Sequence, residues 1–233
     1  MLPSRLIRLR RPPAIHVEPG PFLPQLPAGV TLDAVDRAWE DLCASNPRYH
    51  DGDLLTVLGV SRNGHGGVTI NLASTSYRFH AVRRAGVDLG LQPLGVKAMV
   101  ARDGHWLMGK RSSSVSTYPS LWEFVPGGSV EPGTTPIDAL AREWTEETGL
   151  PVEVLGPLVP EAVLFDPTAL TWEIAHRARV APHAASAMLA MHPSWEHESL
   201  AWCTIEDIER LGDTLSPAAA MMMELARAQP AGV

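Results

Sequence analysis

Apolar residues recur at helical spacing through Leu32, Val35, Trp39 and Leu42, which predicts one buried helix face. Thr31 supplies a cap ahead of it, and Asn46-Pro47 ends it. Apolar runs over 54–60 and 67–73 predict two strands joined by a turn through Asn63, Gly64, Gly66 and Gly67. A short helix is expected from about Ser76 to Arg84, closed by Gly86. Upstream, Pro12, Pro13, Pro19, Pro21, Pro24 and Pro27 exclude a regular helix, so residues 12–30 read as an extended strap. Arg5, Arg8, Arg10 and Arg11 precede the first acid, Glu18, and are expected to form a basic surface arm.

The pattern changes near Gln92. Leu94 to Ala101 and Trp106 to Lys110 read as a hairpin around Arg102-Asp103-Gly104, with further strands expected near 121–125, 152–163, 171–180 and 200–204. Helices are expected near 205–211 and 217–228, where Met221, Met222 and Met223 read as a packed face. Strands and helices do not strictly alternate, which favours an α+β class. The expected organisation is a small α+β module over 1–91 and a second domain over 92–233, within the 233 residues available.

A net charge of −7 argues against nucleic-acid binding by general electrostatics. Phosphate chemistry in such a chain needs a local basic pocket or a bound cation. Cys43 and Cys203 lack the spacing of a disulfide framework or zinc site, which suits a reducing, cytoplasmic setting. No apolar run reaches the roughly 18 residues of a membrane span, so no membrane partner is expected. Oligomeric state is left open.

The richest chemistry lies in GGSVEPGTTPIDALAREWTEETGL, Gly127 to Leu150. Thr135, Pro136 and Asp138 make a helix start resembling a capping box, and Gly149 with Pro151 ends the helix. At roughly 100° per residue, Ile137, Leu140, Ala141, Trp144 and Thr148 share a core-facing stripe. Glu143, Glu146 and Glu147 fall together on a neighbouring sector, expected to be exposed. Like charges at this spacing repel, so a positive partner is required. Carboxylates behind a Gly127-Gly128 turn that can offer a carbonyl form a hard oxygen set suited to Mg²⁺ or Mn²⁺.

These residues resemble the Nudix box, which runs Gly, five residues, Glu, seven residues, then Arg-Glu-aliphatic-any-Glu-Glu-any-Gly-aliphatic. Gly128 matches the first glycine, and Arg142, Glu143, Glu146, Glu147, Gly149 and Leu150 match the second half. Thr134 stands where the isolated Glu belongs, and Trp144 replaces an aliphatic residue. The resemblance implies a Nudix α/β/α sandwich with metal bound by Glu143, Glu146, Glu147 and the Gly127 carbonyl, oriented by Arg142. Glu131 or Asp138 is expected to stand in for the missing Glu. The segments NPRYHDGD, STSYR, PLGVKAMVARDG, GKRSSS, VPGGSVEP and WEHES resemble the UDP-glucose-hydrolysing Nudix proteins of animals. That implies Mg²⁺-dependent hydrolysis of a small nucleotide sugar to UMP and a sugar 1-phosphate. The alternatives are another diphosphate substrate, such as ADP-ribose or a nucleoside triphosphate, or a weakly catalytic binding module, which Thr134 motivates.

Beyond the box, Glu143 or Glu147 could hold the attacking water. Nudix enzymes often take a further acid from a loop before a late strand, which points to Glu198 or Glu196, with Glu173 as another candidate. Lys110 and Arg111 end a strand ahead of the loop, and Arg111 suits paired contacts with phosphate oxygens. Tyr77 and Arg78 could contact a nucleobase. Asp51-Gly52-Asp53 lacks the closing Glu of a calcium loop, and Gly64-His65-Gly66-Gly67 lacks the Lys of a phosphate loop.

Overall fold

The computed structural model describes residues 3–228. Its chain begins with β1 (Arg5–Arg8), β2 (Ala14–Pro21), α1 (Leu32–Ser45), β3 (Asp53–Arg62), β4 (Val68–Ser76) and α2 (Arg78–Ala81), the last running into a 3₁₀ turn over Val82–Ala85. Thr31 caps α1 by accepting from the Ala34 amide at 3.2 Å. Gly86 closes the turn with φ 86°, a backbone state natural only to glycine. The second half supplies β5 (Leu94–Arg102), β6 (His105–Arg111), β7 (Trp122–Phe124), β8 (Gly127–Ser129), α3 (Pro136–Thr148), β9 (Val159–Asp166), β10 (Thr171–Arg179), β11 (His197–Cys203), α4 (Ile205–Leu211) and α5 (Pro217–Ala228). Residues Val152–Val154, read as the start of a strand, form a 3₁₀ turn, and the strand begins at Val159.

The large sheet runs β1-β9-β10-β5-β6-β11, with β7 on β6 and β8 on β5. β10 and β5 are parallel, and the pairs β9-β10, β5-β6 and β6-β11 are antiparallel. Leu140 and Trp144 of α3 pack on one face with Val96, Ala98 and Ile174. Ile208 of α4 and Met222, Met223 and Leu225 of α5 pack on the other with Met99, Met108 and Leu164. Each such side chain contributes about 1.5–3 kcal/mol by leaving water. The result is the expected α+β architecture of helices on both faces of a mixed sheet. No helix among the described residues is long and apolar enough to cross a membrane.

The amino-terminal residues depart from a surface arm and strap. β1 pairs antiparallel with β9, setting Leu6 opposite Leu164 and Ile7 opposite Val163. β2 pairs parallel with β4, and with β3 they make a separate three-stranded sheet. Pro19 and Pro21 are tolerated because β2 is an edge strand, where a missing N–H breaks no central ladder. Leu55, Val57, Val68, Ile70 and Leu72 from this small sheet belong to the same apolar cluster as Val96, Val125 and Trp144. The core therefore runs across residue 91. A second small cluster of Val35, Phe79, Val82, Leu89 and Leu91 holds α1 and α2 together.

Candidate functional site

α3 begins with a reciprocal capping box. The Asp138 amide donates to Thr135 Oγ1 at 3.2 Å, and the Thr135 amide donates to Asp138 Oδ2 at 3.1 Å. Gly149 ends the helix at φ 72°. Leu140, Trp144 and Thr148 are buried as the stripe requires, but Ile137 is 49 % exposed. The glutamates do not share one exposed sector. Glu143 and Glu147 turn inward and are buried, while Glu146 faces solvent. The reason is that α3 lies along β8, whose Gly128 leaves room for the Glu143 carboxylate and whose Gly127 offers its amide to Glu147. A Cβ on Gly128 would overlap the Glu143 carboxylate, and one on Gly127 would press on Lys97.

The Gly127 amide donates to Glu147 Oε2 at 3.2 Å. Burial pushes the Glu143 carboxyl up to about 7 against the opposing pull of Arg142. Burial, with Glu123 nearby, pushes Glu147 well above the ordinary range. Two buried carboxyl groups short of positive charge would be relieved by a cation. By oxygen chemistry and charge deficit Glu143 and Glu147 fit a divalent ion such as Mg²⁺ or Mn²⁺. Among the described residues, however, no three acidic, His or Cys side chains already converge as a ligand set.

Arg142 ties the box together. Its Nη2 reaches Glu143 Oε1 at 2.9 Å and the Ser129 carbonyl at 3.1 Å, and its Nη1 pairs with Glu146 at 3.3 Å. Glu131 stands 3.6 Å from the same guanidinium. Asp138 is committed to the cap. Thr134 instead donates to the Glu131 carbonyl at 2.8 Å.

A second polar cluster lies beside the first. Glu123, buried on β7, accepts from Lys97 Nζ at 2.5 Å, from Arg111 Nη1 and from His197 Nε2 at 3.2 Å. Burial alone would raise this carboxyl, but Lys97, His197 and Arg111 together hold it well below the usual range. The sequence pattern alone does not single out Glu123. The available signal was a lone charge inside the apolar run LWEFV, since buried charges need partners.

Arg111 also donates to the Thr117 carbonyl at 2.9 Å and stands 4.0 Å from Glu196. It lines two recesses that meet at Gly127, Gly128, Ser129 and Glu196. Lys110 and Glu198 lie elsewhere. They pair with each other at 3.0 Å on the surface, and neither lines these recesses. Strand alternation separates Lys110 from Arg111 on β6, while Glu196 lies in the loop ahead of β11, whose register shifts between His197 and Ser199. Glu196, the other acid ahead of the late strand, lines both recesses. Tyr77 lines the outer recess, whereas Arg78 turns away to Asp36 at 3.1 Å and to Asp51. Glu173 lines the inner recess, where burial lifts its carboxyl to about 7 despite Lys97.

The NUDIX domain family matches residues 91–225, more than half of the chain, so the chain belongs to the Nudix family. A CTP pyrophosphohydrolase of Escherichia coli K12 is 34 % identical over 129 residues, covering 55 % of this chain and 87 % of that protein. Among solved structures, an Ap4A hydrolase binary complex from C. elegans is 25 % identical with TM-score 0.45, covering 57 % of this chain and 93 % of its own. A MutT protein from Methanosarcina mazei Go1 is 26 % identical with TM-score 0.43, covering 58 % and 95 %. The curated relative is named for CTP and not for UDP-glucose, so the broader family expectation stands and the finer one lacks support.

Proposed function

We propose that this chain hydrolyses a phosphoanhydride bond in a nucleoside triphosphate or a nucleoside diphosphate derivative, with Mg²⁺ or Mn²⁺ bound at Glu143 and Glu147. The carrying observation is the pair of buried, charge-deficient carboxyl groups beside Gly127 and Gly128, next to the Lys97 and Arg111 cations. Glu146, exposed and paired to Arg142, helps set the position of that guanidinium. A bound divalent ion would neutralise charge on the phosphate oxygens.

The protein's own groups do the rest. Arg111 is placed to hold phosphate oxygens, with Glu123 and the Thr117 carbonyl fixing its plane. Glu196 faces the meeting point of the recesses and accepts a proton from the attacking water. The water oxygen bonds to one phosphorus, the bridging P–O bond breaks, and the departing phosphate carries away the bonding electrons. CTP heads the substrate panel because the curated relative is named for it. UDP-glucose stays in the panel through the resemblance of the segments before and around the box.

Phosphorus NMR of CTP and of UDP-glucose, each with and without millimolar Mg²⁺, tests the reading. Metal-dependent conversion of CTP to CMP and pyrophosphate is the expected result. Faster conversion of UDP-glucose to UMP and glucose 1-phosphate would restore the sugar-nucleotide reading. No hydrolysis of any nucleotide would leave a binding module.

A further inference from the structure

Another recess lies outside the proposed reaction centre. It measures about 370 Å³ and opens where the amino-terminal module meets the loops after β6 and β9. The module supplies His80, Arg83 and Arg84, and the loops supply the hydroxyls of Ser116, Thr117 and Thr168. No carboxylate lines it, in a chain whose net charge is −7. Tyr118, whose hydroxyl donates to Asp166 at 2.6 Å, stands in the wall between this recess and the inner one.

The two arginines are held differently. Arg83 donates to the Ala169 and Thr168 carbonyls at 3.2 and 3.0 Å and stands 3.4 Å from Asp88, tying the module to the loop after β9. Arg84 donates to the Tyr49 hydroxyl at 2.6 Å and to Thr117 Oγ1 at 3.1 Å, and forms no ion pair among the described residues. Neutral hydroxyls orient a guanidinium without cancelling its charge. His80 registers that charge, since burial first, and then Arg84 and Arg83, push its ring down to about 4. At neutral pH the recess therefore presents two fixed cations beside a neutral imidazole. A singly esterified phosphate matches this set. Its dianionic end suits guanidinium donors, and hydroxyls can bond a polar body attached to it. The volume falls in the range of small-molecule sites, more than a bare phosphate fills.

We propose that this recess is a second ligand site, in which Arg84 and Arg83 hold the phosphate of a small phosphate monoester whose hydroxyl-bearing body lies against Ser116, Thr117 and Thr168. The Thr117 carbonyl also accepts from Arg111 at 2.9 Å, so the ligand touches a residue that helps to fix the reaction centre. The site stands whether or not the chain is a hydrolase.

Ribose 5-phosphate without divalent ion is the probe, and the His80 ring proton, assigned by its loss in His80→Gln, is the reporter. In proton NMR that resonance should move saturably with ribose 5-phosphate, and inorganic phosphate should bind more weakly. Arg84 is exposed, so Arg84→Gln keeps the fold, and it should weaken binding by on the order of tenfold, the scale of one charge-assisted hydrogen bond. Arg48→Gln removes a cation that lines the outer recess and not this one, and should leave binding unchanged. Equal movement with sodium chloride at matched ionic strength, or an equal loss in Arg48→Gln, would overturn the site. Inorganic phosphate binding as tightly as ribose 5-phosphate would overturn the monoester. Because binding is read without catalysis, a failure to hydrolyse any nucleotide would leave the result standing.

Discussion

Glu143 lies so close over Gly128 that the glycine's missing side chain is the space its carboxylate occupies. A helix donates the acid and a strand donates the vacancy, so neither residue can change without disturbing the other. Gly128→Ala should therefore displace the Glu143 carboxylate while the rest of α3 stays packed. Misplacement on the ångström scale costs on the order of a hundredfold in rate. Turnover should fall by about that much, with a small change in thermal midpoint; unchanged turnover would separate Glu143 from the reaction.

Glu147→Gln should abolish turnover yet leave the fold as stable as before or more so. Glu147 is 2 % exposed, its carboxyl is pushed well above the ordinary range by burial, and the Gln carbonyl can still accept from Gly127. Circular dichroism melts beside activity assays check both halves, and a large loss of stability would contradict the assignment.

Mg²⁺ should raise the thermal midpoint of the wild-type chain, because an ion bound only by the folded state stabilises it. At about a hundredfold excess over its dissociation constant the gain is about 2.7 kcal/mol, or about 5–10 °C. Glu143→Gln and Glu147→Gln should each lose most of the shift. Equal shifts in all three proteins would place the ion elsewhere.

Glu123 sets an acid limit on stability. Its folded carboxyl is held below the usual range once Lys97, His197 and Arg111 outweigh burial. The unfolded chain thus binds its proton first as pH drops. The contribution of Glu123 is complete above the ordinary carboxylate range and drains away below it. Glu123→Gln should lower stability at neutral pH by about 3–5 kcal/mol, since two cations lose their partner, and should flatten the decline toward acid. Urea unfolding at neutral and acid pH measures both.

Ile70→Ala tests the shared core. Ile70 is fully buried within the cluster that also contains Trp144, so the cavity should cost about 2–5 kcal/mol. Unfolding should stay a single transition, and two separate transitions would show that the halves melt independently.

Local chemistry made part of this architecture legible in the sequence. Thr135 and Asp138 announce a helix start within four residues, and Gly149 its end. The hairpin around Asp103 and Gly104 is written in adjacent positions. Residues whose roles depend on distant packing were harder to read. The depth of Glu147 is set by β8, the pairing of Glu123 by Lys97 and His197 on other strands, and the position of Glu196 by the loop ahead of β11, whose register shifts between His197 and Ser199. Arg5 to Arg8 read as a charged arm because the partner that makes it a strand, β9, lies far along the chain.

That pairing has a consequence for biosynthesis. Leu6 meets Leu164, so β1 must wait, unpaired, on the ribosome until β9 has followed it. The strand that borders the finished sheet is therefore made well before its partner and docked late, and such long-range closure is slow and leaves an edge open to other chains meanwhile. The four arginines between residues 5 and 11 give the waiting segment a concentration of like charge that discourages pairing with copies of itself.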